Sequence, residues 1–290
     1  MIVASLAVSS GGFAECPRWH YAGAAGKVKK KRVDEASGLA VSRQLPDVIW
    51  VHNDQPRDER VFGLNKRGEL LAQLAVQVDS LDWEDLAVGP CGVAGRHCLY
   101  VADTGASRRR RKAVQVLRFW EPRFEPNPKR LFKMAIRRFE VAYFHYEDAA
   151  YRDAEALMVD ASGTLWLFDK HEQRASLFRA KFERGLKPGA IFERVATRQD
   201  IGFVTGADLA ADGSRFVVRN KKNAFEFLIR SGQDVAAAFR DSYEKIPLHE
   251  ESQGEGIGYT ADGRELFTVS EGKREPIHRY VRVPGCEPRG

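Results

Sequence analysis

Apolar residues along this chain come in short runs rather than helical stripes. Five times a polar or acidic pair precedes an aliphatic residue that opens such a run. The stretches are DEASGLAVS around Leu39, DWEDLAVG around Leu86, DAEALMVD around Leu157, VTGADLAAD around Leu209 and QGEGIGYTAD around Ile257. These anchors are spaced by 47, 71, 52 and 48 residues. A period of roughly 50 residues is the mark of a propeller or a solenoid.

The runs after each anchor decide between the two. A second run follows (VIWVHND, CLYVADTG, TLWLFDK, RFVVRNK, ELFTVSE), rich in β-branched and aromatic residues and polar at its end. In three repeats DASGT, AADGS or TADGR joins the first two runs. Asp-Gly and Ser-Gly suit hairpins, because Gly accepts positive φ. Third runs are RVFGLN, VQVLRFW, ASLFRA, FEFLIR and IHRYVRV. A more variable fourth run closes most repeats: ELLAQLAV, FKMAIRRFEV, AIFERVA and SYEKIPL. Four antiparallel strands per repeat make one propeller blade.

The expected fold is therefore all-β, a single β-propeller domain over residues 1–290 with five blades, six being the alternative if the 71-residue spacing hides another. Glu121 to Arg152, rich in Pro, Arg and aromatics and without a hairpin pair, reads as a long strand plus an excursion. Helical periodicity is confined to a short helix near Val235 to Tyr243. The last repeat lacks a fourth strand. IVASLAV at the N-terminus is expected to supply it, beside the run containing Tyr280.

Composition adds limits. Hydrophobic residues are 43% and charged residues 30%, which fits a globular chain with a real core. No apolar run approaches the roughly 18 residues of a membrane span. The net charge of +6 favours anionic partners without bearing on fold. Met1 to Ala14 reads as an edge strand or as a signal-peptide remnant with small residues near Ala14, though it lacks a basic n-region. The four cysteines form no CxxC, which disfavours a zinc or thioredoxin-type site. Cys91 and Cys98 flank one short loop, and Cys16 and Cys286 lie near opposite ends of the chain. This suits two disulfides, Cys91–Cys98 and Cys16–Cys286, and a secreted or periplasmic protein. The alternative is four buried thiols in a cytosolic one.

In a propeller the first strand of each blade lines the central channel. The acidic pairs therefore sit at one mouth of the channel. Glu84, Glu155, Asp208 and Glu255 align best as candidate metal ligands, with Glu35 and Asp85 nearby. Convergent carboxylates repel unless a cation or protons intervene. Hard oxygen ligands favour Ca²⁺, or Mg²⁺ with retained waters. Taken singly, each acid also suits a turn cap or an ion pair with the next blade. The same face collects the ends of the second strands. His52 is a candidate general base, with Asp54 orienting it or joining the metal shell. Asp103, Lys170 and Arg219 are candidate substrate-binding residues, the two cations for an anionic group. Arg108 to Arg111 and Lys112 form the strongest basic run. Arg108 and Arg109 there are candidates for a phosphate or an acidic polysaccharide, although such runs are often only solvated charge. No RNA-binding signature or zinc finger accompanies them, which disfavours nucleic acid. There is also no GxSxG elbow, no P-loop and no GxGxxG opening a helix.

Taken as a set, EASGLA, the HND that closes the second strand, DWEDLA, VADTG, DAEAL, VTGADLAADG and QGEGIGY resemble bacterial secreted propellers of esterase-like or phytase-like type, over most of Val33 to Val281. More distantly, EGIGYTADG resembles the inner-strand motif of the regucalcin, gluconolactonase and paraoxonase propellers. That group holds a divalent cation in the channel and hydrolyses lactones or phosphoesters. The resemblance implies metal-ligand roles for Glu84, Glu155, Asp208 and Glu255. Two departures stand out: those enzymes usually have six blades, and they use an Asn ligand with no clear counterpart here. Calcium-dependent apyrases, five-bladed, are similar in architecture alone. Two function classes follow. One is a monomeric metal-dependent hydrolase of a small anionic phosphoester or a lactone, with His52 or a free carboxylate activating water. The other is a non-enzymatic propeller whose basic face binds an acidic glycan or a protein.

Overall fold

The computed structural model describes residues 18–29, 32–55, 58–105, 113–182 and 189–285. Ile2 to Val8, Cys16, Cys286 and the basic run with Arg108 and Arg109 lie outside these residues.

Among the described residues the first element is strand β1 (Trp19–Lys27), and antiparallel sets follow. The first set is β2 (Ala36–Val41), β3 (Ile49–Asn53), β4 (Arg60–Leu64) and β5 (Leu70–Val76). The second starts with β6 (Trp83–Pro90), β7 (His97–Asp103) and β8 (Val114–Trp120). The chain then makes the excursion expected after Glu121. It crosses to the first set as β9 (Phe132–Ile136), parallel to β5, and returns as β10 (Glu140–Tyr146), antiparallel to β8. Next come β11 (Ala154–Val159), β12 (Thr164–Asp169), β13 (Ala175–Lys181) and β14 (Ala190–Arg198). β14 pairs in parallel with β10, so these two sets form one eight-stranded sheet. The fourth set is β15 (Gly206–Leu209), β16 (Arg215–Arg219), β17 (Asn223–Leu228), the helix α1 (Val235–Phe239) and β18 (Glu244–Pro247). The last is β19 (Gly254–Tyr259), β20 (Glu265–Ser270) and β21 (Pro276–Arg282).

β1 completes that last sheet by pairing with β21, Tyr21 opposite Tyr280. An N-terminal strand thus fills the place beside β21, and it is Trp19–Lys27; the expected strand, Ile2 to Val8, lies outside the described residues. The Gly and Ala content of WHYAGAAGK hides it from a hydrophobicity reading. Its Trp19 Nε1 donates to Glu226 Oε1 of β17 at 3.1 Å, which ties the closing strand to the preceding set.

The first strands neighbour one another in ring order: β2 beside β6, then β11, β15, β19 and β2 again. Hydrophobic clusters sit between successive sets. Trp50, Leu74, Leu99 and Phe119 join the first two sets, and Tyr100, Phe144, Phe178 and Phe192 join the second and third. Trp166, Phe168, Phe216 and Phe239 follow, then Val217, Tyr259 and Tyr280. Leu39, Phe62, Phe267 and Val269 close the circle. The fold is all-β and propeller-like. Among the described residues, no helix is long and apolar enough to cross a membrane.

The turn chemistry holds in detail. Gly163, Gly213 and Gly263, of DASGT, AADGS and TADGR, have φ of 78°, 71° and 65° and connect the first two strands of their sets. Asp160, Asp212 and Asp262 each accept the backbone N–H two residues on, at 2.9, 2.9 and 3.1 Å. The expected helix spans Val235–Phe239, N-capped by Asp234, whose Oδ1 accepts from Ala237 N at 2.8 Å.

Candidate functional site

The second residue of each ring strand is Ser37, Glu84, Glu155, Ala207 or Glu255. The third is Gly38, Asp85, Ala156, Asp208 or Gly256. Successive side chains on a strand point to opposite faces. Glu84, Glu155 and Glu255 therefore share one position, while Asp208 belongs with Asp85.

Asp85 and Asp208 are clamps between ring strands. Asp85 accepts from Leu86 N and from Leu157 N of β11, both at 2.8 Å. Asp208 accepts from Leu209 N at 2.9 Å and from Tyr259 N of β19 at 2.8 Å. Burial pushes the Asp208 carboxyl up to about 6, against the pull of Arg43 and these two amides. With both oxygens occupied by backbone, Asp208 stands apart from the other three expected ligands.

Glu84 and Glu155 do come together, and with a residue the sequence reading left unnamed. Glu84, Asp153 and Glu155 each present an oxygen within 4.8 Å of the others. Asp153 precedes Glu155 by two, so an extended chain puts both on one face. Burial, then the fields of Glu155, Asp54, Asp153 and Asp82, hold the Glu84 carboxyl far above the usual range. Gly105, from the VADTG stretch, makes room for it: a Cβ there would lie 1.8 Å from Glu84 Oε1.

Lys170 enters the same cluster from the end of β12. Its Nζ donates to Glu155 Oε1 at 2.5 Å. Burial raises the Glu155 carboxyl; Lys170 opposes that rise, and Glu255 and Asp153 add to it. Burial costs the Lys170 ammonium, but Glu155 more than restores it, and its pKa stands above the ordinary lysine value. Glu255 is pushed up to about 7 by burial, opposed by Lys170 and reinforced by Glu271. Its Oε2 is buried without a hydrogen-bond partner among the described residues.

The remaining candidates have other occupations. His52 is fully buried, accepts from Gly38 N at Nε2 (3.2 Å) and donates from Nδ1 to Asn53 O (3.0 Å). Burial lowers its pKa to about 4, partly offset by backbone contacts to Asn53 and Glu84. It is a neutral strut under the cluster, with no ring nitrogen left for a substrate. Asp54 is half-buried, and its charge acts on Glu84. Asp103 is buried and organises a turn, accepting from Leu81 N, Asp82 N and Gln115 Nε2 at 3.1, 2.8 and 2.5 Å. Arg219 is buried too, bonded to Asn220 O, Gly256 O and Glu251 Oε2 at 3.2, 3.1 and 2.6 Å. Of the expected disulfides, Cys91–Cys98 is present between β6 and β7.

An all-carboxylate donor set with an orphaned carboxylate oxygen beside it suits a hard divalent cation. Such carboxylates bind through one oxygen or two, and waters complete the shell.

No family model matches the chain, and no curated protein matches it in sequence. Among solved structures, a gluconolactonase from Xanthomonas campestris is similar over 94% of this chain and 87% of its own, at 14% identity and a TM-score of 0.45. A chain of the mitotic checkpoint complex is similar over 84% of this chain, at 13% identity and a TM-score of 0.40; this chain spans 63% of its length. Likeness at this level says nothing about chemistry at the mouth, so a function has to rest on the geometry of the acidic cluster.

Proposed function

We propose that the five sets are blades of a five-bladed propeller, and that the protein is a divalent-cation-dependent hydrolase acting at the channel mouth on a lactone or phosphoester. The observation that carries this reading is the convergence of Glu84, Asp153 and Glu155 within 4.8 Å. Calcium is the proposed ion, with magnesium as the alternative, and a bound cation would polarise a substrate oxygen and lower the pKa of water. Glu84, Asp153 and Glu155 would hold it. Glu255 at about 7 is poised to take or give a proton near neutrality. A secreted or periplasmic location accords with the Cys91–Cys98 disulfide.

The test is calorimetric titration of Ca²⁺ and Mg²⁺ into chelator-treated protein, with lactone and phosphoester hydrolysis measured before and after EDTA. Binding that Glu84→Gln abolishes, with activity that follows the metal, supports the reading. Absence of binding and indifference to EDTA would sink it.

One observation favours a second reading. Lys170 already pairs with Glu155, as in a ring neutralised from within. In that case the propeller binds an acidic glycan or a protein without catalysis, and the same titration is flat.

A further inference from the structure

Among the described residues, three sheets end outward on β1, β18 and β9. β1 has two register shifts against β21, and β18 has only four residues, one of them Pro247. β9 pairs with β5 in unbroken parallel register, from Ala72 and Phe132 to Val76 and Ile136. Of the three, it is the edge best formed to take a further strand.

One hydrogen bond fixes the direction of its outward backbone groups. Gln77 N donates to Ile136 O at 3.2 Å, so Ile136 turns its backbone toward β5. The hydrogen-bonding direction alternates along a strand. Met134 and Phe132 therefore also face β5, while Lys133 and Ala135 turn their N–H and C=O groups outward. Side chains alternate as well, between the two faces of the sheet. Ile136 is buried in the cluster between the first two sets, and Phe132 packs against it. Met134 lies on that same face and is 45% exposed, an apolar side chain left uncovered where the sheet ends. Lys133 and Ala135 lie on the other face and are exposed.

Charge sets this edge apart. From Asn127 to Phe139 the chain carries Lys129, Arg130, Lys133, Arg137 and Arg138 and no acid. All five cations are exposed, and none makes an ion pair among the described residues. Glu140, the next acid, is held by Arg118. Other outer strands mix their signs. Arg179 of β13 pairs with Glu193 of β14 at 2.8 Å, and Arg198 at the end of β14 pairs with Asp200 at 2.7 Å. Arg279 of β21 pairs with Glu265 of β20. An ordinary solvated face balances its charges in this way, and the β9 excursion does not.

We propose that the outer edge of β9 docks an extended segment of a partner protein in which acidic and apolar residues alternate. The segment adds to the sheet as a further strand. Its backbone takes the outward groups of Lys133 and Ala135. Its apolar residues lie beside Met134, and its acids lie on the face of Lys133, with Arg137 and Arg138 just past the strand end. A second copy of this chain is a poor occupant, because its net charge is +6 and its own β9 is basic. β9 stands at the opposite end of its sheet from the ring strand β2, so the site is separate from the acidic cluster and independent of the hydrolase reading.

The experiment uses the full chain and a blocked, fluorescein-labelled peptide that alternates Glu and Val, read by fluorescence anisotropy at low and at high salt. Ala135→Pro removes an N–H that points outward, which an edge strand tolerates. Its melting temperature should stay near that of the wild type, while peptide affinity falls roughly ten-fold. Arg137→Glu should weaken binding at low salt and do so less at high salt. Two further peptides are N-methylated, one on its Glu nitrogens and one on its Val nitrogens. Only one of these phases faces β9, so one peptide should lose binding to the wild type and the other keep it. This arm stands even where Ala135→Pro fails to fold. Equal binding by both methylated peptides, or by a shuffled peptide of the same composition, would reduce the edge to a charged surface and overturn the proposal. Absence of peptide binding at low salt would overturn it as well. A dimer of the chain in sedimentation, lost in Ala135→Pro, would assign the edge to a second copy and overturn the acidic partner.

Discussion

Lys170→Met should make the protein bind calcium more tightly while making the calcium-free protein less stable. The ammonium stands 2.5 Å from Glu155 Oε1, inside the group of oxygens proposed to hold the ion. Oxygens within 4.8 Å of one another place a shared cation about 3 Å from each, and the ammonium then lies about 5 Å from the ion. A divalent and a monovalent charge at that distance repel by about 1.7 kcal/mol in a water-like dielectric. That dielectric sets a lower bound and suits a side chain that is 27% exposed and can swing into solvent. Removing the ammonium should therefore tighten calcium binding roughly fifteen- to twenty-fold. Methionine keeps the length of the side chain and its packing. Without calcium, the variant takes from Glu155, which sits among Glu84, Asp153 and Glu255, the Lys170 ammonium that pairs with it, and its melting temperature should fall. Calorimetric titration at low ionic strength and pH 7.5 reads the first effect, and thermal melting in chelator reads the second. An affinity that is unchanged or weaker would refute the reasoning and leave Lys170 as a plain structural partner of Glu155.

Gly105→Ala should weaken calcium binding at least ten-fold, because the new Cβ falls 1.8 Å from Glu84 Oε1 and 2.6 Å from Asp82 Oδ2; overpacking of this kind costs about 1–3 kcal/mol of stability, read by urea unfolding. His52 has a folded-state pKa near 4 against 6.5 for the free side chain. Its contribution to stability is complete above about pH 6.5 and is lost as pH falls toward 4, by about 3 kcal/mol. Glu255, raised to about 7, and Asp208, raised to about 6, work in the opposite sense, since protonation relieves them as pH falls. The informative measurement is therefore the difference between wild type and His52→Gln over that range, which should show the variant losing less. Replacing Cys91 and Cys98 together by Ser should cost about 2.5 kcal/mol, as expected for a short closed loop, and Ca²⁺ affinity should stay the same because the bridge joins the far ends of β6 and β7.

Much of the architecture could be read in the sequence because burial and turn chemistry leave local marks. The runs after Leu39, Leu86, Leu157, Leu209 and Ile257 are all ring strands, and the Asp-Gly and Ser-Gly turns sit where hairpins need positive φ. The site was less legible. In VTGADLAAD the acid lies one residue nearer the anchor than the acids of DWEDLAVG and DAEALMVD that reach the cluster. On a strand that single step turns the side chain to the other face, which makes Asp208 a clamp. Asp153 was visible only as the first letter of DAEAL, where spacing of two from Glu155 was the available signal. His52 looked reactive because sequence does not show burial, and its bond from Gly38 N on the neighbouring strand is a fact of packing, while its other bond, to Asn53 O, is local. β1 was missed as the strand beside β21 because it is built of small residues that carry little apolar signal.

The crossover through β9 and the parallel pairing of β10 with β14 bear on how the molecule behaves in a crowd. An open sheet edge is a template for a strand from another copy. Here the outer strands β5, β10 and β14 are each covered by a further strand, so three potential sites of edge-to-edge growth are closed. What remains is poor material for growth. β18 is only four residues long and carries Lys245 and Pro247. β1 is broken by two register shifts. β9 carries Lys133 and is followed by Arg137 and Arg138. Positive charge, proline and bulges are the usual deterrents at such edges. The strand exchange between neighbouring sets thus protects against aggregation, and a variant that unpins β9 from β5 should lose solubility before it loses its fold.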